Sequence, residues 1–199
     1  VSERYLNVYG EKDLRAQMNQ FFHRTYTHPV DGTTLDMKML CNWYWYDETA
    51  ILETGKGTKD WNFYRYAETL LSAAEAIAQS SGVNAEAAGY LAQVKARANM
   101  EGKDASTITS ELQRLGKQAF IEECWKERLR EFPLEMKIWD DCVRTGKFPQ
   151  ISATNKGEVQ FVDLIGATNG SGAKFKETDL YWPIPVNEIQ RNPNLTQNE

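Results

Sequence analysis

Asn62 to Ala78 reads NFYRYAETLLSAAEAIA. At 3.6 residues per turn, Phe63, Tyr66, Ala67, Leu70, Leu71, Ala74, Ile77 and Ala78 share one face at spacings of three and four. Arg65, Glu68, Ser72, Glu75 and Gln79 fall mostly on the other. The run has no Gly, no Pro and several Ala, so pattern and propensity both predict a helix. Ala67, Ala74 and Ala78 are small enough to let a second helix backbone approach. Ser80-Ser81-Gly82-Val83-Asn84 is a turn cluster, and Ala85 to Asn99 reads as that second helix, with Ala88, Leu91, Val94 and Ala98 inward. The pair makes a helical hairpin of about the ~34-residue tetratricopeptide length, and one hairpin alone cannot bury its apolar face.

Downstream, Met100 to Thr107 reads as a connection, with Ser106 or Thr107 as N-cap. A long helix is expected from about Ile108 to Phe132, with Ile108, Leu112, Leu115, Ala119, Ile121, Trp125, Leu129 and Phe132 inward. Its exposed face would carry Glu122, Glu123, Lys126, Glu127, Arg128, Arg130 and Glu131. Pro133 ends or kinks it, and a further helix, Leu134 to Arg144, stops at Gly146 in the left-handed cap. Glu127, Arg128, Glu131 and Arg144 are expected to form exposed ion pairs linking helices, each contributing ~0 to 1 kcal/mol. From Lys147 to Glu199 helical periodicity is lost, and glycines and prolines predict a long ordered tail on the helices. In it, Trp182 and Ile184 are expected to plug an apolar groove, with Pro183 and Pro185 holding the backbone extended.

Upstream, Leu14, Met18 and Phe21 permit a helix, whereas Phe22, Tyr26 and the Thr25/Thr27 pair favour an extended end. Thr27 to Asp36, with Pro29 and Asp31-Gly32, reads as a hairpin tip. Leu40 to Tyr46, LCNWYWY, would as a strand put Trp43 and Trp45 on one side and Tyr44 and Tyr46 on the other. Thr54 to Asp60 is a Gly-rich loop leading into Trp61. The expected fold is therefore mostly α, with tetratricopeptide-like helical hairpins, minor β and long ordered loops. Residues 1–61 form a loop and short-strand segment with an aromatic patch, 62–147 the helical scaffold and 148–199 the irregular tail, all one domain of a larger protein.

Composition narrows the function. The chain has 199 residues, 41% of them hydrophobic, which is enough for a core, and 23 Lys and Arg against 28 Asp and Glu give a net charge of -5. With no cluster of five basic residues, the phosphate neutralisation that drives nucleic-acid binding is disfavoured. No apolar run approaches the ~20 residues of a membrane-spanning helix. Cys41, Cys124 and Cys142 are isolated, without CxxC spacing, and read as small apolar side chains rather than as disulfide or zinc ligands; His23 and His28 add little to a metal site. Glu122/Glu123 and Asp140/Asp141 are adjacent pairs that diverge by about 100° on a helix, so they do not converge as a general acid and base. No GxSxG, HExxH or phosphate-loop motif occurs. The sequence thus predicts no enzyme, no cofactor and no metal.

Three stretches together resemble the C-terminal part of the SusD/RagB family. The first is Arg65-Tyr66-Ala67-Glu68-x-Leu70-Leu71-x-x-Ala74-Glu75-Ala76. The second runs from Ile121 through Glu127-Arg128 and Glu131-Phe132 to Glu135, Trp139, Asp141 and Arg144-Thr145-Gly146-Lys147. The third is Leu180-Tyr181-Trp182-Pro183-Ile184-Pro185-x-x-Glu188-Ile189-x-x-Asn192-Pro193-x-Leu195-x-Gln197-Asn198. Leu6-x-x-Tyr9, Asp13-Leu14-Arg15 and Phe21-Phe22 fit as well, so the likeness covers nearly the whole chain. Met136 stands where the family commonly has Gly, Ile138 where it commonly has Arg, and Cys142 where it commonly has Leu.

The resemblance implies a surface-exposed lipoprotein of a Bacteroidetes-type outer membrane that binds oligosaccharide and delivers it to a SusC-like TonB-dependent transporter. It also implies that the lipid anchor, earlier repeat helices and most of the glycan platform lie upstream of Val1. Within this chain, Trp61, Trp43, Trp45 and Tyr44 are the candidate ligand-binding residues, since the C–H face of a sugar ring stacks on aromatic surface and nearby Asn42, Asp47 and Glu48 can take hydroxyls. Trp61, in its Gly-rich loop, is the first choice. The competing reading packs these aromatics between structural layers. A different class of function is a helical-repeat adaptor that binds protein without sugar.

Overall fold

The computed structural model describes residues 2–198, and the chain divides into two compact units. The first comprises Val1–Met136 with Ile151–Val159. Its centre is the predicted hairpin, α1 (Tyr66–Ser81) and α2 (Ala85–Ala98), with α3 (Ala105–Leu112) and α4 (Lys117–Glu131) completing the helical layer. Gly82, at φ +83°, turns the chain out of α1, and Asn84 Oδ1 accepts from Ala87 N at 2.9 Å to start α2. Leu70, Leu71, Ala74 and Ala78 meet Ala88, Leu91, Phe120, Ile121 and Cys124 in one continuous core. Each buried Leu or Phe contributes about 1.5–3 kcal/mol. This is the mostly α, tetratricopeptide-like arrangement with minor β that the periodicity predicts.

Three boundaries differ from expectation, each for a local reason. Helix α1 begins at Tyr66 rather than Asn62, because Arg65 is extended at φ -120°, ψ 152°. Phe63 and Tyr66, expected inside, are consequently 74% and 72% exposed. The expected helix from 108 to 132 is two helices, since Gly116 is extended at φ -64°, ψ 155°. That break shifts the stripe by one residue, burying Phe120 completely and leaving Ala119 exposed. The N-cap of α3 is Asp104, which accepts from Thr107 N at 2.8 Å, rather than Ser106 or Thr107.

Before the helices, Leu14–Ala16 form a 3-10 turn capped by Asp13, and β1 (Phe22–Thr27) pairs antiparallel with β2 (Thr34–Asn42). Pro29 and Gly32 lie in the connecting tip, where His28 N donates to Thr33 O at 2.8 Å. The strand ends at Asn42 instead of running to Tyr46. Asn42 Oδ1 accepts from Tyr44 N at 2.7 Å and winds Trp43–Trp45 into a 3-10 turn. A side-chain acceptor that satisfies a backbone donor locally removes it from the strand ladder.

The second unit comprises Lys137–Gln150 and Gln160–Glu199. Helix α5 spans Ile138–Thr145 and ends on Gly146 at φ +66°, as expected of the C-terminal cap. It starts four residues later than predicted because Leu134 and Met136 hold φ of +59° and +60°, outside the right-handed helical region. Strands β3 (Lys147–Ile151) and β4 (Val159–Asp163) pair with each other, and α6 spans Val186–Arg191. Trp182 is 89% exposed and fills no groove. Backbone bonding fastens this segment instead: Gln197 exchanges two hydrogen bonds with the Ile184 backbone, at 2.8 and 3.0 Å, and Asn198 Nδ2 donates to Trp182 O at 3.1 Å.

Candidate functional site

The Asn42 turn decides where the aromatics go. In place of alternating sides, Trp43 and Tyr46 gather with His23 and Tyr26, while Tyr44 and Trp45 gather with Trp61, both groups within the first unit. Trp43 lies nearly parallel to His23, at 3.8 Å and 9°, and to Tyr46, at 4.5 Å and 10°. Two rings so close and so parallel to one indole occupy opposite faces, so Trp43 has neither face open. Tyr44 meets Trp45 edge-on at 4.8 Å, and Trp45 meets Trp61 at 4.9 Å and 62°. Lys59 and Arg65 lie 5.4 and 5.8 Å from the Tyr44 ring centre. Trp61 is the candidate with the most open surface, at 53% exposure, and Trp45 supports it from one side.

The loop carrying Trp61 is shaped by Asp47. Its Oδ2 accepts from Thr58 N at 2.8 Å and Lys59 N at 3.1 Å, while Oδ1 accepts from Ala50 N at 3.2 Å. These donors, Thr58 first, hold the Asp47 carboxyl below its ordinary range. Lys59 Nζ donates to the carbonyls of Tyr44 and Tyr46, and Asn62 Nδ2 donates to Tyr44 Oη at 3.1 Å, closing the loop over the cluster. Asp47 and Asn42 are therefore committed to structure, the latter also donating to Pro133 O at 2.9 Å. Glu48 remains exposed. Beside the cluster opens a cleft of about 290 Å³, lined among others by Phe21, Trp43, Tyr44, Arg65, Arg97 and Glu135.

Beneath this cleft lies a buried charge network that the sequence reading placed in water. Glu127 and Glu131 are 1% and 0% exposed, and Arg128 and Arg130 are buried too. Arg15 reaches Glu127 at 2.8 Å, Glu131 at 2.9 Å and Asp13 at 2.7 Å. Arg65 binds Glu131 at 2.9 Å and grips Glu135 through two bonds at 2.8 and 2.7 Å. Tyr5 and Tyr9 hydroxyls donate to the carbonyls of Leu129 and Arg130, at 2.6 and 2.9 Å. Arg144 pairs with Asp141 of its own helix at 2.8 Å. Arg15 and Arg65, the two organising cations, lie far from these carboxylates in sequence, so no local pattern names them as partners. The signal for burial is present in the spacing: Phe120, Cys124, Glu127 and Glu131 follow one another by three and four residues.

A second cleft in the same unit, about 500 Å³, is floored by Lys95, Glu123, Glu127 and Arg130. Burial alone would raise the Glu127 pKa, but Arg15, Lys95 and Arg130 outweigh it and bring it down to about 2. A carboxyl so far below neutrality is poorly matched to general acid or base work. Among the described residues no group of three or more His, Cys, Asp or Glu converges as a metal site, and no helix is long and apolar enough to cross a membrane.

The model of the SusD family matches residues 8–199. The chain is 35% identical over 136 residues to the starch-binding protein SusD of Bacteroides thetaiotaomicron, an alignment covering 68% of this chain and 20% of that protein. It superposes on the crystal structure of a SusD superfamily protein from Parabacteroides distasonis with a TM-score of 0.82 and 30% identity, covering 100% of this chain and 41% of that one. It thus spans less than half of either relative. The motif on α1, the buried acidic stripe on α4 and the agreement in fold and sequence together establish that this chain belongs to the SusD family.

Proposed function

We propose that the protein captures oligosaccharide at the outer surface of a Bacteroidetes-type outer membrane and passes it to a SusC-like TonB-dependent transporter, as a lipoprotein anchored through sequence upstream of Val1. The observation that carries this reading is the open Trp61 face, held rigidly by Trp45 and by the Asp47-pinned loop, in a chain of a family with a starch-binding member. An aromatic plane fixed beforehand loses little entropy when a sugar ring settles on it. Trp43 serves in this reading as a structural rivet, with Trp61, Trp45 and Tyr44 nearer the sugar, and the main platform lies in the part of the protein upstream.

The mechanism is equilibrium binding without chemistry, which suits carboxylates already neutralised by arginine and lysine. Affinity is then modest, because stacking and a few hydroxyl contacts must offset the freedom lost on association. The test is isothermal titration of the full-length protein against a glycan panel, with co-purification of the transporter in parallel. Heat on titration with at least one glycan supports the proposal. No heat with any glycan, while the transporter still co-purifies, replaces it with the helical-repeat adaptor.

A further inference from the structure

The second unit carries a cleft of about 630 Å³, walled by Trp139 near the start of α5 and by residues 178–183. That volume lies inside the ~300–1,000 Å³ range of small-molecule clefts. Three aromatic side chains line it with open surface: Trp182 is 89% exposed, Tyr181 62% and Trp139 36%.

Each of the three is fixed from behind. Trp139 lies 5.7 Å from Phe175, which in turn lies 5.1 Å from Phe148, so rings back it on one side. Asp179 Oδ2 accepts from Lys176 N at 2.8 Å and caps the 3-10 turn Glu177–Leu180, from which Tyr181 emerges. The Trp182 carbonyl accepts from Asn198 Nδ2 at 3.1 Å, and Pro183 keeps the residue before it extended.

The polar atoms of the wall are open as well. Among the described residues, Thr178 Oγ1, Asp179 Oδ1 and Tyr181 Oη make no hydrogen bond. A ligand with hydroxyl groups can pair with all three, and the C–H face of a sugar ring can cover the aromatic planes. A wholly apolar peptide or lipid would take these oxygens out of water and leave them unpaired. Charge narrows the choice further. The described lining holds one carboxylate, Asp179, and neither Lys nor Arg, so nothing on the wall neutralises an acidic ligand.

Building on the proposed glycan-capturing role, we infer that this cleft is a second oligosaccharide site, on residues separate from those around Trp61, and that it takes neutral sugar units. Trp182 is the stacking platform, and Thr178 and Asp179 receive the hydroxyls.

The experiment is hydroxyl-radical footprinting of the full-length protein, read by mass spectrometry at Trp182 and Tyr181, beside calorimetric titration. The probes are neutral α-glucan, β-glucan, xylan, mannan and galactan oligosaccharides and an anionic homogalacturonan oligosaccharide. The inference expects Trp182 to oxidise readily without sugar, and to be protected by a neutral oligosaccharide but not by the homogalacturonan one. Trp182→Ala should raise the concentration that half-protects Tyr181 about two- to tenfold, the range of one stacking contact, and Trp182→Phe should restore part of it. Both variants should melt with the parent, since the side chain is exposed. Equal protection by homogalacturonan overturns the inference. So does a Trp182 that resists oxidation before any sugar is added, because the rest of the protein would then cover the cleft. Heat with a neutral oligosaccharide but no protection of Trp182 overturns the cleft and leaves glycan capture standing. No heat with any sugar overturns both.

Discussion

Arg15 and Glu127 come within 2.8 Å of each other with their side chains 5% and 1% exposed, joining a turn near the start of the chain to α4. Removing one partner of such a pair strands a charge away from water, which costs about 3–5 kcal/mol. Arg15→Leu should therefore lower stability by several kcal/mol in urea denaturation, more than any exposed ion pair could. Arg24→Leu is the control: its pairing with Glu3 is exposed on both sides, and its loss should be hard to measure.

The same network predicts the direction of acid sensitivity. Glu127 has its pKa depressed from 4.5 to about 2, because Arg15, Lys95 and Arg130 outweigh the cost of burial. Glu123 is shifted the same way, with Lys95 and Arg130 outweighing burial. A carboxyl that is more acidic folded than unfolded stabilises the fold above its unfolded pKa and loses that contribution as pH falls through the folded one. Stability should hold down to about pH 4.5 and then decline toward pH 2, with Glu127 alone accounting for about 3 kcal/mol. Thermal unfolding followed across that range checks it; a flat profile would mean Glu127 is not ion-paired.

How much of this was legible in the sequence depends on which force fixes each residue. The α1–α2 hairpin was readable because Leu70, Leu71, Leu91 and the alanines repeat at helical spacing, a local signal that burial merely ratifies. Glu127 and Glu131 read as exposed because they are charged, although they continue the Phe120–Cys124 stripe. Their burial depends on Arg15 and Arg65, more than 60 residues away along the chain, and no local pattern reports that. The aromatic cluster failed at a single residue. The Asn42 side chain caps a turn where alternation implies a strand, which puts Trp43 with Tyr46 and Trp45 with Tyr44 instead of Trp with Trp and Tyr with Tyr, and closes both sides of Trp43.

Leu70 is 7% exposed among Ala, Leu and Phe neighbours. Leu70→Asp would put an unpaired carboxylate there, and such burial costs several kcal/mol unless the fold opens. The variant is expected to lose its cooperative thermal transition. Tyr66→Ser, four residues earlier but 72% exposed, should melt within a few degrees of the parent.

The aromatics should separate into binding and structural groups. Trp61→Ala is expected to weaken glycan binding about two- to tenfold, the range of one stacking contact, with little change in melting temperature. Trp43→Ala should lower the melting temperature clearly, because it empties the slot between His23 and Tyr46. Calorimetric titration beside thermal denaturation distinguishes the two, and equal effects of both variants on both readouts would contradict the assignment.

At Met136 the backbone holds φ +60°, in the left-handed region that glycine occupies most readily. An L-residue in that region brings its Cβ against the following carbonyl, at a cost of about 1–2 kcal/mol that glycine avoids. The side chain offers little in return, being 71% exposed. Glycine also loosens the unfolded chain, which offsets part of the gain, so Met136→Gly should stabilise the protein by about 1 kcal/mol or slightly less. Met136→Ala separates backbone strain from any effect of the methionine side chain. It keeps the Cβ, and with it the strain, so its urea midpoint should match the parent, whereas the glycine variant's midpoint rises at unchanged slope. If alanine stabilised as much as glycine, the exposed methionine itself would be the unfavourable element and the left-handed backbone would be innocent.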